Sequence, residues 1–253
     1  MKIIVTSGGT SEKIDEVRKI TNMASGRLGA AIADEFIRAE NAEVTYLHGE
    51  NAALPTRQPA KMMKIESAED LLDTLTLLLS QNKYTAIIHA MAVSDYTLGS
   101  IVAIDDLVAS IADCIDSCGK EGLDLEIKNR ITHNDKALST QNKISSDVEN
   151  LILILKKTPK IIGRIKELQS DILLVGFKLL DDVVEEELIN VAYKLLLKNK
   201  CDFVLANDLR KVGKENHEGL LIKDDATFIR LHTKQQIAEA IVKNVSDKIK
   251  ERN

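Results

Sequence analysis

The sequence predicts an α/β fold, a mostly parallel sheet flanked by helices, and three observations predict it. Short β-branched runs alternate with longer stretches of 3.6-residue periodicity, the pattern of βαβ units. The first run, Ile3-Ile4-Val5-Thr6, passes at once into a glycine turn and then a helix. One polar stretch, residues 97–142, interrupts the alternation and reads as an insertion or flap within a single domain of residues 1–253.

The elements follow in order. After the first strand, Leu28, Ile32, Phe36 and Ala39 share one face of a helix from Leu28 to Ala39. Val44 to Leu47 is the second strand and Met63-Lys64-Ile65 a short third, followed by a leucine-striped helix from Ala68 to Leu79. Ala86-Ile87-Ile88-His89-Ala90 is a buried strand by composition, and Ile152 to Leu155 is another. Thr158-Pro159 is expected to open a helix with proline at its first position. A strand at Ile172–Phe177, a helix at Asp182–Lys198 and a strand at Phe203–Ala206 come next. Gly219–Ile222 and Thr227–Leu231 read as a hairpin, and Lys234–Ile249 as the closing helix. Within the interrupting stretch only Ile104 to Cys118 is strongly periodic; Gly119 to Asn142 is polar with no clear strand.

Composition narrows the function classes. The chain has 253 residues, 34 Lys+Arg against 39 Asp+Glu, and a net charge of −5, which argues against a general nucleic-acid binder. Three cysteines without a C-x-x-C pair do not make a disulfide framework or zinc knuckle, and a reduced, cytoplasmic setting is expected. Cys114 and Cys118, one helical turn apart, read as small hydrophobes. The N-terminus is too short in apolar residues for a signal peptide, and no run reaches the ~18 apolar residues of a membrane span. The five histidines show no metal-ligand spacing.

Two glycine segments flank the first strand-to-helix junction: Ser7-Gly8-Gly9-Thr10-Ser11, and Ser25-Gly26-Arg27-Leu28-Gly29. Glycines there let an anion approach helix N–H groups. Either segment alone is a tight turn or an N-cap; together they point to anion binding. Ligands of open α/β sheets sit outside the carboxyl ends of the strands. Those ends carry His89-Ala90-Met91-Ala92-Val93-Ser94-Asp95, Gly176-Phe177-Lys178 and Ala206-Asn207-Asp208. Taken singly, Asp95 reads as a turn residue, Phe177 as core, and Lys194 with Lys198 as a solvated helix face. A NAD site wants an acid at the end of the second strand, which here reads Tyr46-Leu47-His48-Gly49. No tyrosine has lysine four residues on, and no Walker A loop occurs. An NAD(P)-dependent oxidoreductase of Rossmann type is therefore the lesser alternative.

Further segments line up as an ordered set. Val5-Thr6-Ser7-Gly8-Gly9-Thr10, Ile14-Asp15-Glu16-Val17-Arg18 and Ile20-Thr21-Asn22-Met23-Ala24-Ser25-Gly26 open it. Met91-Ala92-Val93-Ser94-Asp95-Tyr96, Lys143-Ile144-Ser145-Ser146, Lys156-Lys157-Thr158-Pro159-Lys160, Val175-Gly176-Phe177-Lys178 and Ala206-Asn207-Asp208-Leu209 continue it. In this order they resemble the phosphopantothenate–cysteine ligases over most of the chain outside residues 97–142. With no flavin-dependent decarboxylase domain ahead of Met1, the likeness is to the stand-alone bacterial form, phosphopantothenoylcysteine synthetase.

The resemblance implies a Rossmann-like fold and a two-step ligation in coenzyme A biosynthesis. The carboxylate of 4′-phosphopantothenate attacks the α-phosphate of a nucleoside triphosphate, usually CTP, and the amine of L-cysteine then displaces the nucleotide from the acyl-cytidylate. By the same resemblance Lys143 contacts the triphosphate beside N–H groups of the Gly8-Gly9 turn and Ser25-Gly26. The backbone of His89, Ala90 and Met91 and of Lys160, Ile161 and Ile162 faces the nucleotide. Phe177 packs on the base, and Lys194 and Lys198 contact the nucleotide. Asp95 sits at the nucleotide through Mg²⁺, Asn22 holds the acyl intermediate next to Ala92, and Arg18 anchors the phosphopantothenate phosphate across a homodimer interface. Two departures stand out: the Asp95-to-Lys143 interval is a short loop in many members, and Lys178 occupies a position often small in bifunctional ones. Similar lysines occur in members that use ATP, so CTP and ATP both stand. A non-catalytic nucleotide sensor with the same pocket is a third reading.

Overall fold

The computed structural model describes residues 1–117, 122–139, 143–213 and 217–252. Cys118 and parts of the polar Gly119–Asn142 run lie outside the described residues. In chain order the elements are β1 (Lys2–Ser7), β2 (Ser11–Lys13), β3 (Lys19–Thr21), α1 (Arg27–Glu40), β4 (Glu43–His48), β5 (Lys61–Lys64), α2 (Ala68–Gln81) and β6 (Ala86–His89). They continue with β7 (Tyr96–Ala103), α3 (Ile104–Ser117), α4 (Leu123–Thr132), β8 (Leu151–Lys157), α5 (Ile161–Leu168), β9 (Leu173–Leu180) and α6 (Glu185–Asn199). The chain ends with β10 (Phe203–Asp208), a 3₁₀ turn at Leu209–Lys211, β11 (Gly219–Lys223), β12 (Phe228–Leu231) and α7 (Lys234–Arg252). The chain forms two compact units, one of residues 1–10, 22–93 and 160–253, the other of residues 11–21 and 94–159. The second unit thus reaches beyond the 97–142 insertion drawn from the sequence and recruits the 11–21 segment.

The first unit is built on an eight-stranded sheet in the order β12-β11-β10-β9-β6-β1-β4-β5. The six strands from β10 to β5 run parallel, and β11 and β12 close the edge as an antiparallel hairpin. Successive residues of a strand face opposite sides. Ile3 and Val5 accordingly pack with Phe36 of α1 and Ile237 and Ile241 of α7. Ile4 faces the other side, with Leu71 and Leu75 of α2, Ile165 of α5 and Leu196 of α6. Helices on both faces explain why the central strands are almost wholly apolar rather than alternating. Ser67 caps α2 by accepting the Asp70 N–H at 3.1 Å.

From β1 the chain winds outward through β4 to β5, and from β6 outward through β9 to β10. The winding reverses between β1 and β6, and an open α/β sheet binds ligands at that switch point.

The second unit contains the β2–β3 hairpin, the antiparallel β7–β8 pair, α3 and α4. Four sequence expectations change here. Ile152–Leu155 does form a strand, but as part of β8 it pairs with β7 outside the main sheet. It is half-buried, with Leu155 42% exposed, and an apolar run does not announce its partner. Strand β7 was hidden by Gly99, where the register shifts between Leu98 and Ser100. Helix α4 buries no residue and carries only weak periodicity. Pro159 does not open a helix: α5 begins at Ile161 with Lys160 as N-cap. Thr158 is held extended instead, as residues before proline prefer, its N–H donating to the Asp95 carbonyl at 3.1 Å and its hydroxyl to that of Ser94 at 2.6 Å.

Candidate active site

The carboxyl ends of β1 and β6 are stitched together past the end of their ladder. Gly9 and Ala92 form a parallel bridge; the Ala92 N–H donates to the Gly8 carbonyl at 2.8 Å, and the Thr10 N–H to the Ala92 carbonyl at 3.1 Å. Asn22 seals the junction. Its Nδ2 donates to the Ala92 carbonyl at 2.9 Å, and its backbone N–H to that of Thr10 at 3.3 Å. A Cβ on Gly9 would collide with the Asn22 carbonyl, so only glycine lets the two segments meet this closely. One Asn22 amide N–H is committed to this contact. The side-chain oxygen and the other N–H are what it brings to a ligand.

Helix α1 starts from Gly26, whose φ of 68° is a left-handed conformation, and the Ser7 hydroxyl donates to the Gly26 carbonyl at 2.9 Å. The first intrahelical bond runs from the Ala30 N–H to the Gly26 carbonyl, so the N–H groups of Arg27, Leu28 and Gly29 have no acceptor inside the helix. No acidic residue occupies the first turn of α1 or of α5, leaving both positive helix ends uncompensated by their own turn. In α5 the first bond is from the Gly163 N–H to Lys160, which frees those of Ile161 and Ile162 from helical partners. A helix connecting two parallel strands returns antiparallel to them, so the α1 and α5 N-termini both belong to the carboxyl edge.

The β6 segment behaves differently. The N–H of Ala90 donates to the carbonyls of Thr6 and Ile88, and that of Met91 to the Thr6 hydroxyl at 3.2 Å. Its amide donors are used within the protein and are not available to a phosphate. His89 is buried against the same Thr6 hydroxyl at 3.1 Å from Nδ1, and burial pushes its pKa down to about 4. It is a neutral structural ring at pH 7.

Phe177 is half-buried on the face that α1 and α7 cover. Helix α6 covers the opposite face through Leu188, Ala192 and Leu196, with Lys194 and Lys198 exposed. Phe177 and the two lysines therefore belong to opposite faces of the sheet. The carboxyl end of β10 is internally satisfied: Asn207 Nδ2 donates to the Glu218 carbonyl at 2.7 Å, and Asp208 accepts the N–H groups of Arg210 and Asp182. Beyond the end of β4, Glu50 pairs with Lys64 at 2.8 Å, which engages the one acid near the position a dinucleotide ribose requires.

Arg18, Asp95 and Lys143 belong to the second unit. Asp95 and Lys143 are both exposed. Arg18 is held by Asp15, which accepts its Nε at 2.9 Å and its Nη2 at 2.5 Å. Asp15 also takes the N–H groups of Val17, Arg18 and Ile144. The guanidinium and these N–H groups hold the Asp15 carboxyl far below the usual carboxylate range. The sequence quoted Asp15 only as part of a motif; its three-residue spacing from Arg18 was the available sign of a local ion pair. Thr6, which organises His89 and Met91, figured in the sequence only within the first strand and the opening motif.

Taken together, a parallel sheet that reverses between β1 and β6, with a glycine contact, an asparagine amide and uncompensated helix N-termini there, defines a Rossmann-like α/β protein. The model of the DNA/pantothenate metabolism flavoprotein C-terminal domain matches residues 1–103 and 130–249. The chain belongs to that family. A coenzyme A biosynthesis bifunctional protein CoaBC from Thermococcus kodakarensis is 32% identical over 241 residues, 95% of this chain and 49% of that protein. The CoaBC of Methanocaldococcus jannaschii is 28% identical over 252 residues, 98% of this chain and 51% of that protein. The chain thus spans about half the length of these curated relatives. The crystal structure of the DNA/pantothenate metabolism flavoprotein from Streptococcus pneumoniae matches with a TM-score of 0.81 and 35% identity, covering 98% of this chain and 99% of that one. A Cab2 mutant in complex with phosphopantothenate-cysteine shares the fold, with a TM-score of 0.67 at 18% identity over 99% of this chain and 86% of that one.

Proposed function

We propose that the protein acts in coenzyme A biosynthesis, joining 4′-phosphopantothenate to L-cysteine through an acyl-nucleotide intermediate formed from CTP or ATP. The observation that carries this reading is Asn22, clamped by Gly9, Thr10 and Ala92 at the point where the sheet reverses. An amide there, with an oxygen and one N–H to spare, suits an acyl phosphate anhydride, which offers oxygens to the N–H while the attacking amine donates an N–H to the amide oxygen.

The physical obstacle is charge, since a carboxylate must meet a triphosphate. Two like unit charges 4 Å apart repel by about 1 kcal/mol in water and about 4 kcal/mol at an effective dielectric near 20. The helix N-termini at Gly26 and Lys160 and the Lys143 ammonium act against that repulsion. Among the described residues no three His, Cys, Asp or Glu side chains converge into a metal cage. Mg²⁺ takes one or two carboxylates alongside phosphate oxygens and water, and the exposed Asp95 is the carboxylate that would hold it. Bound there, Mg²⁺ would neutralise phosphate charge. Arg18 keeps Nη1 for the phosphate of phosphopantothenate while Asp15 engages Nε and Nη2. Val17 and Ile20, 64% and 36% exposed beside Arg18, support a homodimer that covers this hairpin.

Atoms balance in two steps. The carboxylate displaces pyrophosphate from the α-phosphate, and the free amine of cysteine displaces the nucleoside monophosphate, losing one proton as the amide forms. The test is product analysis by mass spectrometry with Mg²⁺, phosphopantothenate, L-cysteine and either CTP or ATP. Formation of phosphopantothenoylcysteine with stoichiometric pyrophosphate supports the reading and assigns the nucleotide. Tight nucleotide binding without turnover would favour the nucleotide sensor. No helix of the described residues is long and apolar enough to cross a membrane, and a cytoplasmic location is part of this proposal.

A further inference from the structure

The second unit contains a buried carboxylate that the reaction itself does not use. The Asp15 side chain has no exposed surface and accepts five hydrogen bonds. Two come from the turn that carries it, the N–H groups of Val17 and Arg18 at 2.9 and 2.8 Å, and two from the Arg18 guanidinium. The fifth comes from far along the chain: the Ile144 N–H donates to Oδ2 at 3.2 Å. Arg18 completes the contact from the other side, its Nη2 donating to the Ile144 carbonyl at 3.4 Å. The Asp15–Arg18 pair therefore grips both polar groups of one peptide residue, and Ile144 is itself buried. The next residue toward the N-terminus is Lys143, whose side chain is exposed.

A turn could be tied off with two or three of these bonds. Burying a full carboxylate is costly unless it is paired, and the donors that complete its shell are the guanidinium and a peptide 129 residues away. We propose that Asp15 is a positioning residue that couples Arg18 to Lys143 through the Ile144 backbone. This rests on the ligase reading, in which Arg18 meets the phosphate of phosphopantothenate and Lys143 the triphosphate. Pulling Arg18 toward a substrate phosphate moves the same Asp15 oxygen that holds the Ile144 N–H, so filling the acid-substrate site sets the backbone from which Lys143 reaches the nucleotide. The coupling is reciprocal: phosphopantothenate binding tightens the nucleotide side, and nucleotide binding tightens that of phosphopantothenate by the same factor.

The test is a double-mutant cycle of Asp15→Asn and Lys143→Gln on pyrophosphate release, with hydrogen exchange as a readout that needs no turnover. Asp15→Asn is expected to lower the rate of the first step about tenfold or more in the wild-type background. In the Lys143→Gln background it should add less than about twofold, since coupled residues are not additive. In exchange, phosphopantothenate alone should protect the peptide containing Ile144 in the wild type and not in Asp15→Asn, with β6 amides unchanged in both. Asp15→Glu serves if the asparagine variant does not fold. It keeps the Arg18 ion pair but its extra methylene displaces the oxygen from the Ile144 N–H, so kcat should fall while the KM for phosphopantothenate stays within about threefold. Multiplying of the two single losses, or equal protection of Ile144 in both proteins, would overturn the coupling while leaving the ligase reading intact. A wild-type protein that releases no pyrophosphate with either nucleotide would instead sink the ligase reading, and the exchange comparison would still decide whether Asp15 clamps Ile144.

Discussion

Replacing Gly9 by alanine tests the meeting point of β1, β6 and Asn22. The new methyl would run into the Asn22 carbonyl oxygen, with the Asn22 carbonyl carbon and Cβ each 3.2 Å away. These are mostly backbone atoms and cannot swing aside like a long side chain. Overpacking of this kind costs about 1–3 kcal/mol. For a chain of this size each kcal/mol lowers Tm by roughly 2–4 °C. Relief must come from moving the Asn22 segment, which also weakens the 2.9 Å bond from its amide to Ala92. On the proposed reading, in which Asn22 holds the acyl intermediate, a displacement near 1 Å costs on the order of 100-fold in rate. The assay pairs thermal melting with amide formation. Gly163→Ala inside α5, where the nearest atom to the new methyl is Asn199 Oδ1 of α6 at 3.4 Å, is the control and should melt at or above the wild-type temperature. Gly9→Ala with an unchanged Tm and an unchanged rate would refute the reasoning.

Two further outcomes follow from the same geometry. Asn22→Asp should still release pyrophosphate but accumulate the acyl-nucleotide, detectable by quenched-flow mass spectrometry, because an added negative charge repels the anhydride that the amide would hold; normal amide yield from this variant would remove Asn22 from the second step. Stability should fall as pH drops from about 6.5 toward 4, because burial lowers His89 and His217 to about 4 and the unfolded chain takes up their protons first. For the fully buried His89 the loss is on the order of 3 kcal/mol across that window, and His89→Gln should flatten the acid limb of a denaturation series. An unaltered acid limb in that variant would contradict the burial argument.

Much of the fold was legible because both faces of the sheet are covered. Strands such as Ile3–Thr6 and Ala86–His89 read as unbroken apolar runs, and α1 and α2 carry clear helical stripes. The second unit was less legible for stated reasons. Gly99 breaks the alternation of β7 at its bulge, α4 buries nothing, and β2 and β3 are three residues each. At the site, the glycine segments and Asn22 were visible in sequence, and the structure brings Gly9, Asn22 and Ala92 together. The commitment of the Ala90 and Met91 N–H groups to Thr6 was not visible, because hydrogen bonds across parallel strands follow from register alone. The same limit hid the Asp15 contact with Ile144, which depends on how a distant segment returns.

The most direct test of the proposed chemistry is an isotope transfer. Phosphopantothenate labelled with ¹⁸O in its carboxylate is turned over with L-cysteine, Mg²⁺ and the productive nucleotide, and the released nucleotide is weighed. Attack of the carboxylate on the α-phosphate predicts one ¹⁸O in the nucleoside monophosphate and none in pyrophosphate. A nucleoside diphosphate released with labelled orthophosphate, or an unlabelled monophosphate, would contradict the acyl-nucleotide route.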